Sequence, residues 1–115
     1  MDTATFLIKR HDALPVLKVY LRDVNDEPVD LSPLSTAVYF IMKNVNTGTA
    51  AITGNICTIV DVDTAIVQYT WAATDTAIAG DYLGEFEIRY ADGNKLTVPT
   101  EDTLSVIVIE DYNNE

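Results

Sequence analysis

The 115-residue sequence predicts an all-β protein, an immunoglobulin-like two-sheet β-sandwich of seven or eight antiparallel strands. Short apolar stretches are separated by Pro, Gly, Asn and Asp at roughly ten-residue intervals. Apolar and polar residues alternate within several stretches, and no helical period extends beyond about two turns. The length suits one domain over residues 1–115, with an acidic tail over 110–115 that is expected to fray.

The first half of the sequence is predicted to form three strands. In the second of them, Leu17, Val19 and Leu21 alternate with Lys18 and Tyr20, as expected for a strand with one buried face. The third strand is apolar on both faces, so we expect it to lie in the middle of a sheet or to be covered. These strands cover residues 5–10, 16–22 and 36–43.

The second half is predicted to contain five further strands and one helical turn. Residues 44–54 are polar and contain Thr and Gly, which predicts a loop that is mobile at its tip. Residues 72–79 are predicted to form one turn of helix, with Thr74 or Asp75 as its cap. Asp92-Gly93 is typical of a hairpin turn. The strands cover residues 56–62, 65–71, 82–90, 95–98 and 104–109.

The segment around Tyr82 resembles a tyrosine corner. A short helical turn precedes a strand that begins with Tyr82, and its hydroxyl is expected to bond to the backbone upstream. Along this strand, alternate residues are apolar and are predicted to face the core, while Leu83, Glu85, Glu87 and Arg89 are predicted to face outward. The residues predicted to have structural roles are Trp71, Asp75, Gly80, Tyr82, Phe86 and Ile88.

Composition excludes several classes of partner. The chain has 18 acidic and seven basic residues and a net charge of −11, so it lacks the clustered Lys and Arg that bind phosphates. The same charge disfavours a lipid surface, and no apolar run exceeds six residues. The N-terminus lacks the features of a signal peptide. We therefore expect neither a nucleic-acid nor a membrane partner, and we expect partners with basic surfaces.

Few residues suit catalysis. His11 is the single histidine and has no nucleophile motif with it, which predicts a solvent-facing turn residue. Cys57 lies in an apolar segment without an adjacent Lys or Arg, so we expect a buried, unreactive thiol. Glu85 and Glu87 fit the solvated face of a strand better than a pair of catalytic carboxylates. The protein is therefore predicted not to be an enzyme and to bind no cofactor.

Two groups of acidic residues are candidate metal sites. Asp23 and Asn25 begin a segment like a calcium loop, but Pro28 and Leu34 stand where an EF-hand requires Gly and Glu. Aspartates in turns usually bond to their own backbone, so no metal site is predicted. A different oxygen-lined site at one end of the sandwich would use Asp61, Asp63, Asp75 and Asp81.

Outward-facing apolar and aromatic residues are the candidate contact sites. Tyr20 and Tyr39 lie opposite the better core stripes of their strands, and Ile41 follows on the same face as Tyr39. Such residues are favoured at protein interfaces. The alternative is that loops or the second sheet cover them. Asn46 and Thr47, in the predicted 44–54 loop, complete the set of candidate interaction residues.

Residues 67–71 and 75–82, together with Asp23 and several other short segments, have a characteristic order and spacing. In this they resemble the N-terminal domain of phage baseplate upper proteins and related tailed-phage structural proteins. The two most specific are the segment that ends in Trp71 and the segment 75–82. The resemblance covers nearly the whole chain, and it implies an immunoglobulin-like sandwich that anchors to or decorates a virion. The other matching segments are residues 6–10, 14–17, 28–31, 38–40, 84–87, 92–93 and Pro99.

The leading hypothesis is a non-enzymatic structural protein of a tailed bacteriophage. It would dock on the tail, baseplate, neck or head by protein–protein contacts, form homo-oligomers in the particle, and be located in the virion after assembly in the host cytoplasm. The alternative is a carbohydrate- or cell-surface-binding β-sandwich module whose exposed aromatic residues stack on sugars. The fold alone does not decide between them, because sandwiches host many unrelated functions.

Overall fold

Nine strands and one short 3-10 helix form within residues 3–98 and 103–110, the part of the chain that the computed structural model describes. Glu110 is therefore the only residue of the predicted acidic tail that is described. The strands are β1 Thr3–Lys9, β2 Leu17–Tyr20, β3 Ala37–Asn44, β4 Ala50–Ile56, β5 Thr58–Asp61, β6 Ile66–Tyr69, β7 Gly80–Arg89, β8 Lys95–Val98 and β9 Thr103–Ile109, and the helix is Ala73–Thr76.

The strands form two sheets, which confirms the predicted all-β fold class, a two-sheet β-sandwich. The described residues form nine strands instead of the predicted seven or eight. The larger sheet has the order β1-β9-β7-β3-β4, and β8 pairs with β7 beyond the end of the β9 ladder. The smaller sheet has the order β2-β6-β5. One pairing departs from the wholly antiparallel prediction, because β1 runs parallel to β9.

The prediction for residues 44–62 was wrong in its boundaries. Residues 50–54, expected in a loop, belong to β4, which pairs with β3 through register shifts around Phe40 and Met42. The chain then passes through Cys57, whose N–H donates to the carbonyl of Val38 at 2.8 Å, and enters β5 in the other sheet. The polar residues of β4 are tolerated because this strand lies at a sheet edge and contains a bulge.

Aromatic side chains from both sheets fill the centre of the core. The ring of Phe40 lies 4.9 Å from that of Tyr69, 5.0 Å from Phe86 and 5.7 Å from Trp71, between centroids. Trp71 also stacks on Phe6 at 5.7 Å. Such pairs contribute about 0.5–1.5 kcal/mol each beyond the burial of their area. The contacts therefore join β1, β3 and β7 of the larger sheet to β6 and the segment after it.

The predicted tyrosine corner is confirmed. Tyr82 is buried, and its hydroxyl donates a 2.6 Å hydrogen bond to the carbonyl of Ile78. Gly80, at the start of β7, has φ +154°, a conformation that residues with a side chain rarely adopt. Ile88, further along β7, is completely buried. The corner thus fixes the path of the chain from the helix into the central strand of the larger sheet.

Asp75 stabilises the helix end, but it is not the N-cap residue. Ala72 occupies the N-cap position, and its backbone N–H donates to the Asp75 carboxylate at 2.9 Å. The Tyr69 hydroxyl donates to the same carboxylate oxygen at 2.7 Å and accepts from the side-chain amide of Asn55 at 2.9 Å. This chain of bonds connects β4 of the larger sheet to β6 of the smaller one.

Candidate interaction surface

The outer face of the larger sheet carries a continuous row of apolar side chains. In β3, β7 and β9 the inward-facing residues are buried, so the residues between them point away from the core. On a sheet face that is not covered, these positions are usually polar. We call the row the apolar stripe; it consists of Leu7, Tyr39, Ile41, Ile56, Leu83 and Ile107.

Strand register makes the stripe continuous. Ile56 of β4 lies opposite Tyr39 of β3, and Ile107 of β9 lies opposite Leu7 of β1. Between these pairs the stripe runs diagonally. Tyr39 and Ile41 are neighbours on the same face of β3. Ile41 is paired with Glu85 and Leu83 with Ser105, so Leu83 lies one diagonal step from Ile41, and Ile107 one diagonal step from Leu83. Diagonal neighbours in a sheet are about 7–8 Å apart, within reach of long side chains.

The residues of the stripe differ in exposure. Ile56 is 66% exposed, Leu7 55% and Leu83 44%, whereas Tyr39, Ile41 and Ile107 are only partly exposed. The guanidinium carbon of Arg89 lies 4.0 Å from the centroid of the Tyr39 ring, which explains this partial cover. Arg89 also pairs with Glu87, and their hydrogen bond lowers the pKa of the Glu87 carboxyl group. The stripe is therefore accessible at both ends, on β4 and β1, and in its middle, on β7.

Charge is distributed unevenly over the molecule. Four of the seven basic residues and three of the 18 acidic residues lie on the described outer face of the larger sheet. This face thus carries a net charge of about +1 in a chain of net charge −11. The basic residues are Lys9, Lys43, Arg89 and Lys95, and the acidic ones are Asp81, Glu85 and Glu87.

The structure separates the residues predicted to make contacts. Tyr39 and Ile41 belong to the apolar stripe, whereas Tyr20 is 61% exposed on the outer face of the smaller sheet. Asn46 and Thr47 lie in the turn after β3, where both backbone N–H groups donate to the side chain of Asn44. The five residues therefore do not form one surface.

Sequence reasoning missed the most exposed residues of the stripe, which are Ile56, Leu7 and Leu83. Leu83 was predicted to point outward but was not connected with Tyr39 and Ile41. Leu7 and Ile107 lie in runs that are apolar at every position, the same signal that marks β3. Their pairing depends on the parallel contact of β1 with β9, about a hundred residues apart, which no local pattern specifies.

Cys57 and His11 occupy the predicted environments. Cys57 is a buried free cysteine, and burial raises the pKa of its thiol to about 12. His11 is exposed in a turn with φ +69°, and its backbone N–H donates to the carbonyl of Thr76 at 3.0 Å. The thiol is thus protonated and shielded at neutral pH, which makes it a poor nucleophile.

Possible ligand sites elsewhere are limited. The described residues contain no group of three or more His, Cys, Asp or Glu placed to hold a metal ion, so Asp61, Asp63, Asp75 and Asp81 do not assemble into a site. An open depression of about 340 Å³ lies between the β2–β3 connection and the β5–β6 turn. Asp30 lines it, and hydrogen bonds from Ser32 lower the pKa of its carboxyl group. No helix formed by the described residues is long and apolar enough to cross a membrane.

Comparison with known proteins supports the fold. No family model matches the sequence, and no curated protein matches it. Among solved structures, the chain is similar to CopC from Methylosinus trichosporium OB3b, with a TM-score of 0.54 and 12% sequence identity. The similarity covers 96% of this chain and 88% of that chain. At this identity the likeness concerns the fold alone, a β-sandwich.

Proposed function

We propose that the chain is a non-enzymatic structural protein of a tailed-bacteriophage virion that docks on or decorates the particle by protein–protein contacts. The observation that carries the proposal is the apolar stripe on the outer face of the larger sheet, because an apolar row on a sheet surface favours burial by another protein. The resemblance of the segments around Trp71 and residues 75–82 to phage baseplate proteins supports the virion as its location.

The charge distribution supports a second class of partner. Away from the outer face of the larger sheet, the described residues include ten acidic and three basic ones. Acidic surfaces steer basic partners toward them and repel other acidic ones. The docking partner in the particle is therefore a virion protein with a basic surface, and binding to it weakens as salt is added.

The experiment that tests the function is mass spectrometry of gradient-purified particles of the phage that encodes the chain. Presence of the chain at a fixed ratio to the major capsid protein is the expected result. That ratio separates a head decoration from a neck, tail or baseplate component, because these parts differ in copy number. Absence of the chain from particles would refute the virion assignment.

Carbohydrate binding is the second candidate, and the exposed ring of Tyr20 is the observation that favours it. The guanidinium carbon of Arg22 lies 5.4 Å from the centre of this ring, so a sugar would have to displace it or share the face. A glycan array with the isolated chain tests this candidate. Binding that is lost in Tyr20→Ala and retained in Tyr39→Ala would favour it over the virion assignment.

A further inference from the structure

We infer that the apolar stripe is a homotypic interface, through which two copies of the chain pack with the outer faces of their larger sheets together. The inference rests on the proposed contact function of the stripe and adds the identity of its partner. It depends on three features of the described residues: the continuity of the stripe, the charge around it, and the size of the face.

Continuity allows the stripe to pair with itself. It crosses five of the six strands, from Ile56 on β4 to Leu7 on β1, so apolar contacts are available across the width of the sheet. A two-fold axis that lies in the plane of the interface, at right angles to the stripe at Leu83, would bring Leu83 of each copy together. It would set each end of one stripe against the opposite end of the partner's stripe. Isologous contacts of this kind are the most common way for soluble proteins to form closed dimers.

The charge distribution favours a second copy of the chain over other proteins as the partner of the stripe. Each copy has a net charge of −11, so contact through the acidic parts of the surface brings carboxylates against carboxylates. The outer face of the larger sheet, with a net charge of about +1, avoids that repulsion. A strongly basic or strongly acidic partner would gain little from a nearly neutral face.

The area of the outer face determines how strongly two copies are expected to associate. Five strands at about 4.8 Å spacing are about 24 Å wide, and strands of seven to ten residues at about 3.3 Å per residue are at least about 23 Å long. The face therefore offers roughly 600 Å² per copy, the lower end of the range for specific interfaces. We expect a weak dimer, with a dissociation constant of the order of tens to hundreds of micromolar, which the high local concentration of a particle would favour.

Sedimentation equilibrium of the full chain tests this inference. Measurements run from about 10 to about 500 µM protein, at about 20 mM and about 500 mM salt. The expected result is a monomer–dimer equilibrium that tightens at high salt, because screening removes the long-range repulsion between copies while apolar contacts persist. Absence of association at the highest concentration overturns the inference, and so does association that weakens with salt.

A matched pair of variants locates the contact. Leu83→Lys places a charge at the centre of the stripe and is expected to weaken association at least about tenfold. Leu34→Lys, at a residue that is 90% exposed in the connection between β2 and β3, adds the same charge away from the stripe and should change association less than about twofold. Equal association of the two variants overturns the inference.

Two controls keep the result interpretable. Near-ultraviolet circular dichroism shows whether Leu83→Lys keeps its packed core; if it does not, Leu7→Lys at the 55% exposed end of the stripe replaces it. Mass spectrometry of purified particles distinguishes a failure of the homotypic interface from a failure of the virion assignment. Presence of the chain in particles without self-association refutes the homotypic interface alone, whereas absence from particles refutes the virion assignment whatever the oligomeric state.

Discussion

The hydroxyl group of Tyr82 donates a 2.6 Å hydrogen bond to the backbone carbonyl of Ile78, four residues earlier in the chain. This bond closes the corner through which the chain leaves the 3-10 helix and enters β7. Because β7 contacts β3, β8 and β9, the direction in which it enters the larger sheet determines the position of three other strands. The corner therefore links a local turn to the architecture of the whole sheet.

Tyr82→Phe tests the contribution of the corner to stability. The variant keeps the buried ring and removes the donor to Ile78, so the free energy of unfolding should fall by about 1–2 kcal/mol. Urea denaturation measures the change as a lower midpoint with an unchanged slope. Tyr20→Phe, which removes an exposed hydroxyl, is the control and should leave the midpoint unchanged. Equal midpoints for both variants would contradict the assigned role.

Asp75→Ala tests the bonds that connect the two sheets. Loss of the carboxylate leaves the buried Tyr69 hydroxyl and the Ala72 N–H without this acceptor, and the expected cost is about 1–3 kcal/mol of unfolding free energy. Asp63→Ala removes an exposed aspartate from the β5–β6 turn and is expected to change stability by less than about 0.5 kcal/mol. Urea denaturation at neutral pH compares the unfolding free energies of the two variants. If Asp75→Ala lowers stability as little as Asp63→Ala, the Asp75 bonds do not stabilise the connection between the sheets.

Gly84→Ala tests the close packing under β7. A Cβ atom at this position would lie 2.9 Å from Cε1 of Phe40 and 3.1 Å from Cδ2 of Leu104, so the expected loss of stability is about 1–3 kcal/mol. In a Phe40→Leu background the clash with the ring is removed, and the added cost of Gly84→Ala should be smaller. A double-mutant cycle from thermal unfolding measures this coupling, and strictly additive costs would show that the ring is not the obstacle.

Cys57 makes stability depend on alkaline pH. Burial raises the pKa of the folded thiol from the ordinary 9.0 to about 12, so above about pH 9 the unfolded chain loses this proton first. The unfolded state then binds fewer protons than the folded state, and stability falls as pH rises from about 9 toward 12. Urea midpoints at about pH 8 and about pH 10 measure the decline. Cys57→Ala should show a shallower decline, and an equal slope would contradict the expected shift.

Local alternation is the part of the fold that the sequence predicts well. Tyr82, Phe86 and Ile88 are buried and Leu83 and Glu85 are exposed, as the period of two along β7 indicates. The tyrosine corner follows from residues close together in the chain. β4 was missed because its Ala, Gly and Asn residues have low strand propensity, and its structure depends on hydrogen bonds supplied by β3.

The candidate surface was predicted only in part for a related reason. Tyr39 and Ile41 are recognisable because they lie two residues apart on one strand. Leu83 and Leu7 join them through the register of β7 on β3 and of β1 on β9, which depends on contacts between distant parts of the chain. Tyr20 has the same alternation signal as Tyr39 but lies in the other sheet, and a single-strand pattern does not distinguish the two sheets.

The parallel pairing of β1 with β9 has a mechanical consequence. A pull applied at the start of β1 and at the end of β9 acts along the two strands in opposite directions. The seven paired positions, from Thr3 with Thr103 to Lys9 with Ile109, are then loaded together in shear rather than opened one after another. Hydrogen bonds that are loaded together resist a higher force than bonds that break one after another. The two strands are therefore expected to stay paired under a pull along their axis.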